Sequence, residues 1–171
     1  MMQGKNIGLR ALEPGDADFM YELENKRKLW PLSNTRIPVS KVRIEDFIER
    51  SSNDLLADHQ WRLCIEENIT GLCVGFLDFF DYDPVHLRAF IGIIVIEEKQ
   101  NMGFASEALN LVMPYAKENL RLHQVAAEVL ESNRASIKLF QKAGFNKAGL
   151  KKDWVWTGEG YENEVILQKI L

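Results

Sequence analysis

Cysteine is scarce in this 171-residue chain: Cys64 and Cys73 are the only two, and each sits inside an apolar run without the close spacing of a metal or redox motif. They read as reduced core thiols rather than a disulfide. Long apolar runs are missing too. No stretch approaches the ~18 residues that span a bilayer, and the opening "MMQGKNIGLR" has no signal-peptide core, so the expectation is a cytoplasmic protein with no membrane attachment. Excess positive charge is also lacking. A formal net charge of −4 supplies no field that would draw the chain onto nucleic acid, and the one basic cluster, "NKRK" at Asn25 to Lys28, reads as a solvated helix end. No internal repeat, low-complexity tract or metal-ligand cluster is legible.

What remains has the size and composition of one domain, residues 1–171, with a hydrophobic share of 46% that can fill a core. "IGLRAL" (Ile7 to Leu12) alternates as a short strand does, and "EPGDADFMYELEN" opens with Pro14 and early acids, a helix start. After an irregular, proline-containing connection at Trp30 to Val39, which reads as a mobile loop, Val42, Ile44, Phe47, Ile48, Leu55 and Leu56 suit a second helix or a helix pair. Two strands follow, joined at an Asn68 to Gly71 turn, and then "RAFIGIIVI" (Arg88 to Ile96) is apolar on both faces, as in a central strand covered by helices on each side. A helix is expected from the recurrence of Ala105, Ala108, Leu109, Val112, Met113, Ala116 and Leu120, with a kink where Pro114 lacks its amide. "QVAAEVL" is a strand, "NRASIKLFQKAGF" a helix capped by Asn133 and closed by Gly144, and the end of the chain a hairpin turning at Gly158 to Gly160. The crossover from Arg88 to Val129 implies a parallel pair inside an otherwise antiparallel sheet. The fold class is therefore α+β, an αβα layered arrangement.

Between the central strand and the long helix lies "IEEKQNMGFASEAL" (Ile96 to Leu109). A helix start exposes unpaired amides and partial positive charge, so a small-residue bend there can receive a phosphate. Gly103 can adopt positive φ, and Ala105 keeps the first turn narrow. No Gly-Lys-Ser/Thr and no triple-glycine fingerprint is present, which argues against ATP and NAD as the ligand. A helix-start glycine with no ligand is the other reading of the bend.

These residues resemble the GNAT superfamily of acetyl-CoA-dependent N-acetyltransferases. "QNMGFA" is similar to its pyrophosphate loop through Gln100, Gly103 and Ala105, with "IIVIEEKQ" before it and "ESNRASIKLFQKAGF" after it in the family's order. The closing "WVWTGEGYENEVIL" resembles the RimJ/RimL-like branch. The resemblance covers nearly the whole chain and implies a mixed, mostly antiparallel sheet with a splayed central strand pair. It further implies that Ile94, Val95 and Ile96 offer main-chain groups to pantetheine. The amides of Gln100, Asn101, Met102, Gly103, Phe104 and Ala105 would hold the pyrophosphate, and Asn133 and Phe140 would meet the cofactor arm. No metal cofactor is implied. Chemistry would be direct attack of a neutral amine on the thioester.

Two departures from the family pattern bear on proton handling. The position of the usual Tyr acid is Phe140, and that of a Glu base used by some relatives is Phe90; neither ring can move a proton. Glu128 and Glu131 are the catalytic candidates, with Asp78, Asp81 and His86 as alternatives. Trp30, Trp154 and Tyr161, with Trp156, could wall the acceptor groove. Lys26, Arg27 and Lys28 argue against a polyamine, leaving a protein N-terminal α-amine or a small primary amine, handled by a monomer or homodimer. The rival readings are a non-catalytic acyl-CoA-binding module of the same fold and a phosphate-binding regulatory domain unrelated to CoA.

Overall fold

The computed structural model describes residues 1–33, 35 and 37–171. Eight strands form one sheet: β1 (Met2–Gln3), β2 (Ile7–Ala11), β3 (Trp61–Glu67), β4 (Cys73–Asp83), β5 (Arg88–Val95), β6 (Gln124–Leu130), β7 (Asn146–Trp156) and β8 (Tyr161–Ile170). Their order in space is β1-β2-β3-β4-β5-β6-β8-β7. Every neighbouring pair is antiparallel except β5 with β6, whose crossover runs through the helix at Phe104–Glu118 and returns the chain in the same direction. Helices are α1 (Ala17–Glu24), α2 (Trp30–Ser33), α3 (Lys41–Arg50), α4 (Leu55–Asp58), α5 (Phe104–Glu118) and α6 (Arg134–Lys142). No helix among the described residues is long and apolar enough to cross a membrane.

The period-2 alternation of the strands sorts their side chains onto two faces. On one, Ile7, Leu9, Leu63, Ile65, Leu77 and Ile91 meet the stripe Ala108, Leu109, Val112, Met113 and Ala116 of α5 in the larger core. Each such side chain buried contributes about 1.5–3 kcal/mol for a residue of Val to Phe size. On the other face, Cys64 and Phe76 meet Met20 and Leu23 of α1 and Ile44 and Ile48 of α3. These two helices lie over β2 to β4 and reach only the end of β5, where Ile94 packs against the same cluster. The far face of β5 is consequently covered only in part: Phe90, Gly92 and Ile94 are half-buried, and Gly92 and Ile94 line an open cavity.

The helix pair expected after Ser40 is α3 and α4, with the Ser40 hydroxyl capping the amide of Arg43. α5 runs continuously through Pro114. β1 was not legible, since two residues are too few to show alternation; its pairing of Met2 with Leu9 defines it. Of the Trp30 to Val39 connection, Asn34 and Arg36 lie outside the described residues, and Trp30 to Ser33 forms the short α2. Both cysteines are free thiols. Hydrogen bonding with Cys73 and burial push the Cys64 thiol well above its ordinary range, so it stays protonated at neutral pH.

The feature that makes the site is a fork in the middle of the sheet. β5 and β6 pair only through Arg88 with Gln124, Ala89 with Val125 and Phe90 with Ala126, although both strands continue beyond. β4 keeps hold of β5 as far as Gly75 opposite Val95, and β8 keeps hold of β6 as far as Glu164 opposite Leu130. Each prong is thus supported from outside. At the prong's end the backbones lie so close that a Cβ on Gly75 would stand 2.1 Å from the Ile94 carbonyl oxygen, which only glycine permits.

Candidate active site

At the open end of the fork the chain turns through a 3-10 turn at Glu97–Lys99 and enters α5. Gly103 caps that helix with φ 85°, and Asn101 before it has φ 61°. The two left-handed residues turn successive amides to the same side. Among the described residues none of the amides from Asn101 through Ser106 donates to an acceptor in the chain. They lie at the positive end of a 15-residue helix. A diphosphate is the ligand that such a row of unpaired donors fits. Gln100 departs from the expectation: its amide donates to the Glu97 carbonyl at 3.1 Å, and its side-chain amide donates to the Val95 carbonyl at 3.0 Å. Gln100 shapes the loop and leaves anion binding to the residues after it. Lys99 beside it is tied to the buried Glu67 at 2.7 Å.

Strand pairing decides which groups of β5 face the fork. The Ile96 amide donates to the Val74 carbonyl at 2.9 Å, so by the alternation of an antiparallel ladder Ile94 and Gly92 also turn their main-chain groups to β4. Ile91, Ile93 and Val95 turn theirs to the gap that β6 has vacated. The expected trio of Ile94, Val95 and Ile96 is therefore corrected to Val95 with Ile93 and Ile91. Sequence reading named consecutive residues where the pleat permits only alternate ones.

On the opposite prong, Asn133 caps α6 by accepting from the Ser136 amide at 3.0 Å through its Oδ1. The cap uses only the oxygen. Its Nδ2 has no partner among the described residues, and Asn133 lines a cavity of about 110 Å³ inside the fork together with Ser136 and Phe140. Phe140 is 2% exposed and packs edge-on against Phe145 with ring centres 5.1 Å apart. It presents an apolar wall there and no proton.

A second cavity, about 470 Å³, opens on the face that α1 and α3 leave uncovered. The two share Leu32, Ile91, Gly92, Ile93 and Glu128, so Glu128 stands where they meet. Glu24, Asp78 and Asp81 add acids to the larger one, against Arg62 as its cation. Arg62 is fully engaged: its Nη1 donates to Glu24 at 2.7 Å and its Nε to Asp78 at 2.6 Å. Phe47 and Phe76 flank its guanidinium at 5.7 and 5.5 Å. Burial alone would lower the Arg62 pKa, but Asp78 and Glu24 outweigh it and raise it. The cavity is acidic on balance.

A family model described as an acetyltransferase (GNAT) domain matches residues 6–146. The chain belongs to the GNAT acetyltransferase family. It is accordingly an N-acetyltransferase with acetyl-CoA as co-substrate, and the unpaired amides beside an open strand edge are what a diphosphate and a peptide-like arm require. Among curated relatives of this GNAT protein, "Probable N-acetyltransferase YjcK" of Bacillus subtilis is 29% identical over 176 residues, spanning 98% of this chain and 95% of that one. Spermidine N(1)-acetyltransferase of Vibrio cholerae is 28% identical over 143 residues, spanning 84% and 80%. Among solved structures, the Vibrio cholerae spermidine N-acetyltransferase in complex with CoA and spermine superposes with a TM-score of 0.87 at 22% identity, covering 98% of this chain and 96% of that one. That last likeness is one of fold.

Several residues expected at the site of this GNAT enzyme stand elsewhere. Glu131 accepts from Asn163 Nδ2 at 2.8 Å and lines neither cavity, and His86 sits in the β4–β5 turn. Trp30 donates its ring N–H to the Glu24 carbonyl at 3.0 Å under the Arg27 guanidinium; Pro31 and Leu32 after it form the wall instead. Trp154, Trp156 and Tyr161 are 60%, 54% and 64% exposed on the outer hairpin, and none lines either cavity. The basic triplet lines neither cavity. Lys28 pairs with Glu97 and Arg27 lies on Trp30. Glu24 and Arg62 were missed in the sequence; a lone arginine in the alternating "WRLCI" was their only trace.

Proposed function

We propose that this enzyme moves the acetyl group of acetyl-CoA to the primary amine of a small cationic molecule, by direct attack with both reactants bound. The observation that carries the reading is the junction of the two cavities at Glu128. A thioester arm held along β5 ends there, and an amine entering the acidic cavity arrives at the same point. Main-chain amides of the gap-facing residues of β5 are placed to stabilise developing charge on the thioester oxygen. Glu128 is the base that takes the amine's proton. The acetyl carbon then gains a bond to nitrogen and loses its bond to sulfur, and the thiolate departs without a side-chain acid from Phe140.

The acceptor class follows from charge. Glu24, Asp78 and Asp81 against Arg62, with Glu128 balanced by Lys151, favour an amine that keeps a second positive group, and the spermidine acetyltransferases among its relatives act on such molecules by name. A protein N-terminal α-amine is the less favoured acceptor. Membership of the RimJ/RimL-like branch rests on the closing hairpin motif alone, and a cytoplasmic location is supported by the free thiols.

The test is mass spectrometry of polyamines, amino acids, aminoglycosides and peptides incubated with the enzyme and acetyl-CoA, with free thiol measured in parallel. A small polycationic amine should gain one acetyl group. Preferential acetylation of neutral peptide N-termini would overturn the acceptor assignment.

A further inference from the structure

Lys151 has no role in the chemistry above, yet it holds the residue on which that chemistry turns. It sits on β7, the edge of the sheet, with β8 between it and β6. Its ammonium nevertheless reaches over β8 to bond the Glu128 carboxylate on β6, and on the way bonds Glu164 Oε2 on β8 at 3.0 Å. The Trp154 ring lies 4.9 Å from the same nitrogen. We propose that Lys151 is a positioning residue, fixing the Glu128 carboxylate at the junction where amine and thioester meet. The inference rests on Glu128 acting as base.

Three observations make the assignment. Glu128 is a long side chain, 28% exposed, on a strand whose inner neighbour has splayed away, and among the described residues Lys151 is the only hydrogen-bond partner of its carboxylate. Glu164, 11% exposed, lines the smaller cavity with Glu128, and two carboxylates sharing that space repel unless a cation lies between them. Lys151 stays charged there: burial would lower its pKa, but its bonds to Glu128 and Glu164 outweigh that and raise it. None of the three hydrogen-bonds to the amide row at Asn101 to Ser106, so the diphosphate contacts do not depend on the interaction.

The experiment is steady-state kinetics on Lys151→Met, Lys151→Arg, Glu128→Gln and the double variant Lys151→Met/Glu128→Gln, with Kd for CoA and thermal midpoint measured on each. Lys151→Met should lower kcat by about ten- to a hundredfold through misplacement of the base and leave Kd for CoA unchanged. Lys151→Arg, which can bridge the same two carboxylates, should recover most of the loss. In the Glu128→Gln background the Met substitution should cost nothing further in kcat, since what it positioned is gone. If Lys151→Met is too unstable to measure, Lys151→Met/Glu164→Gln removes the stranded carboxylate and should show the same kcat deficit. Glu128→Gln inactive but Lys151→Met fully active overturns the positioning role alone; Glu128→Gln fully active overturns the base assignment itself. Additive losses in the double variant also overturn the inference.

Discussion

Replacing Gly103 by valine separates backbone strain from ligand exclusion in the amide loop. Gly103 has φ 85°, and a Cβ built on it meets no atom within 4 Å, so the expected effect of the substitution on stability is mainly conformational. Holding a non-glycine residue in the left-handed region costs about 1–2 kcal/mol, which for a chain of this size lowers the thermal midpoint by roughly 2–8 °C. The protein should therefore fold. The new side chain projects into the space beside the unpaired amides, where it keeps a diphosphate from closing on them. Loss of one hydrogen bond to a charged acceptor is worth about 1.5–3 kcal/mol, or roughly ten- to a hundredfold in Kd. Isothermal titration with CoA and with pantetheine, which lacks the diphosphate, reads the effect directly. CoA should weaken and pantetheine should not. Gly103→Asn serves as control, because asparagine tolerates the left-handed region: its midpoint should stay near that of the native protein while CoA binding still weakens. An unchanged CoA affinity in folded Gly103→Val, or an equal loss for pantetheine, refutes the assignment of the amide row to the diphosphate.

Asn133→Ser keeps a capping oxygen but removes the Nδ2 donor, so calorimetry should show a nearly unchanged midpoint and several-fold weaker CoA binding, whereas Asn133→Ala should also lose about 1 kcal/mol of stability. Equal CoA affinity in native and Asn133→Ser protein would confine Asn133 to its capping role. Gly92→Val places branched carbon at the floor both cavities share; its Cβ would lie 3.6 Å from the Phe80 ring, an ordinary contact, so the fold should hold while KM for the acceptor rises at least about tenfold by steric exclusion. A normal KM would move the acceptor to another surface. Asp16 supplies a pH test. Burial raises its pKa, but the Arg10 guanidinium and the Glu13 amide outweigh that and hold it below the ordinary value of 3.8. The stabilisation is thus complete above about pH 4 and is lost as pH falls through the depressed folded value. Asp16→Asn should cost roughly 3 kcal/mol at pH 7, and denaturant titrations should show the gap from native protein closing on acidification; a gap independent of pH would contradict the ion-pair account.

Much of this enzyme could be read along the chain because the signals are local. The stripe of α5, the bend at Gly103, the Asn133 cap and the Asn68 to Gly71 turn each depend on residues a few positions apart, where periodicity and backbone preference act directly. The splayed pair was reached through family resemblance, and Glu128 was one of several acids that the sequence alone could not rank. Only the tertiary structure singled it out, by bringing it to the meeting of two cavities and by laying Lys151, 23 residues away, against it. Arg62 likewise gains its meaning from Glu24 and Asp78, 38 and 16 residues distant. Strand pairing also decided that Val95, Ile93 and Ile91 face the fork while Ile94 and Ile96 do not, and that the tryptophans of the closing hairpin stand outside. A strand's own sequence determines which residues share a face. Which neighbour lies beside it, and where that neighbour departs, depends on chain segments remote in sequence, and this is the information that locates the chemistry.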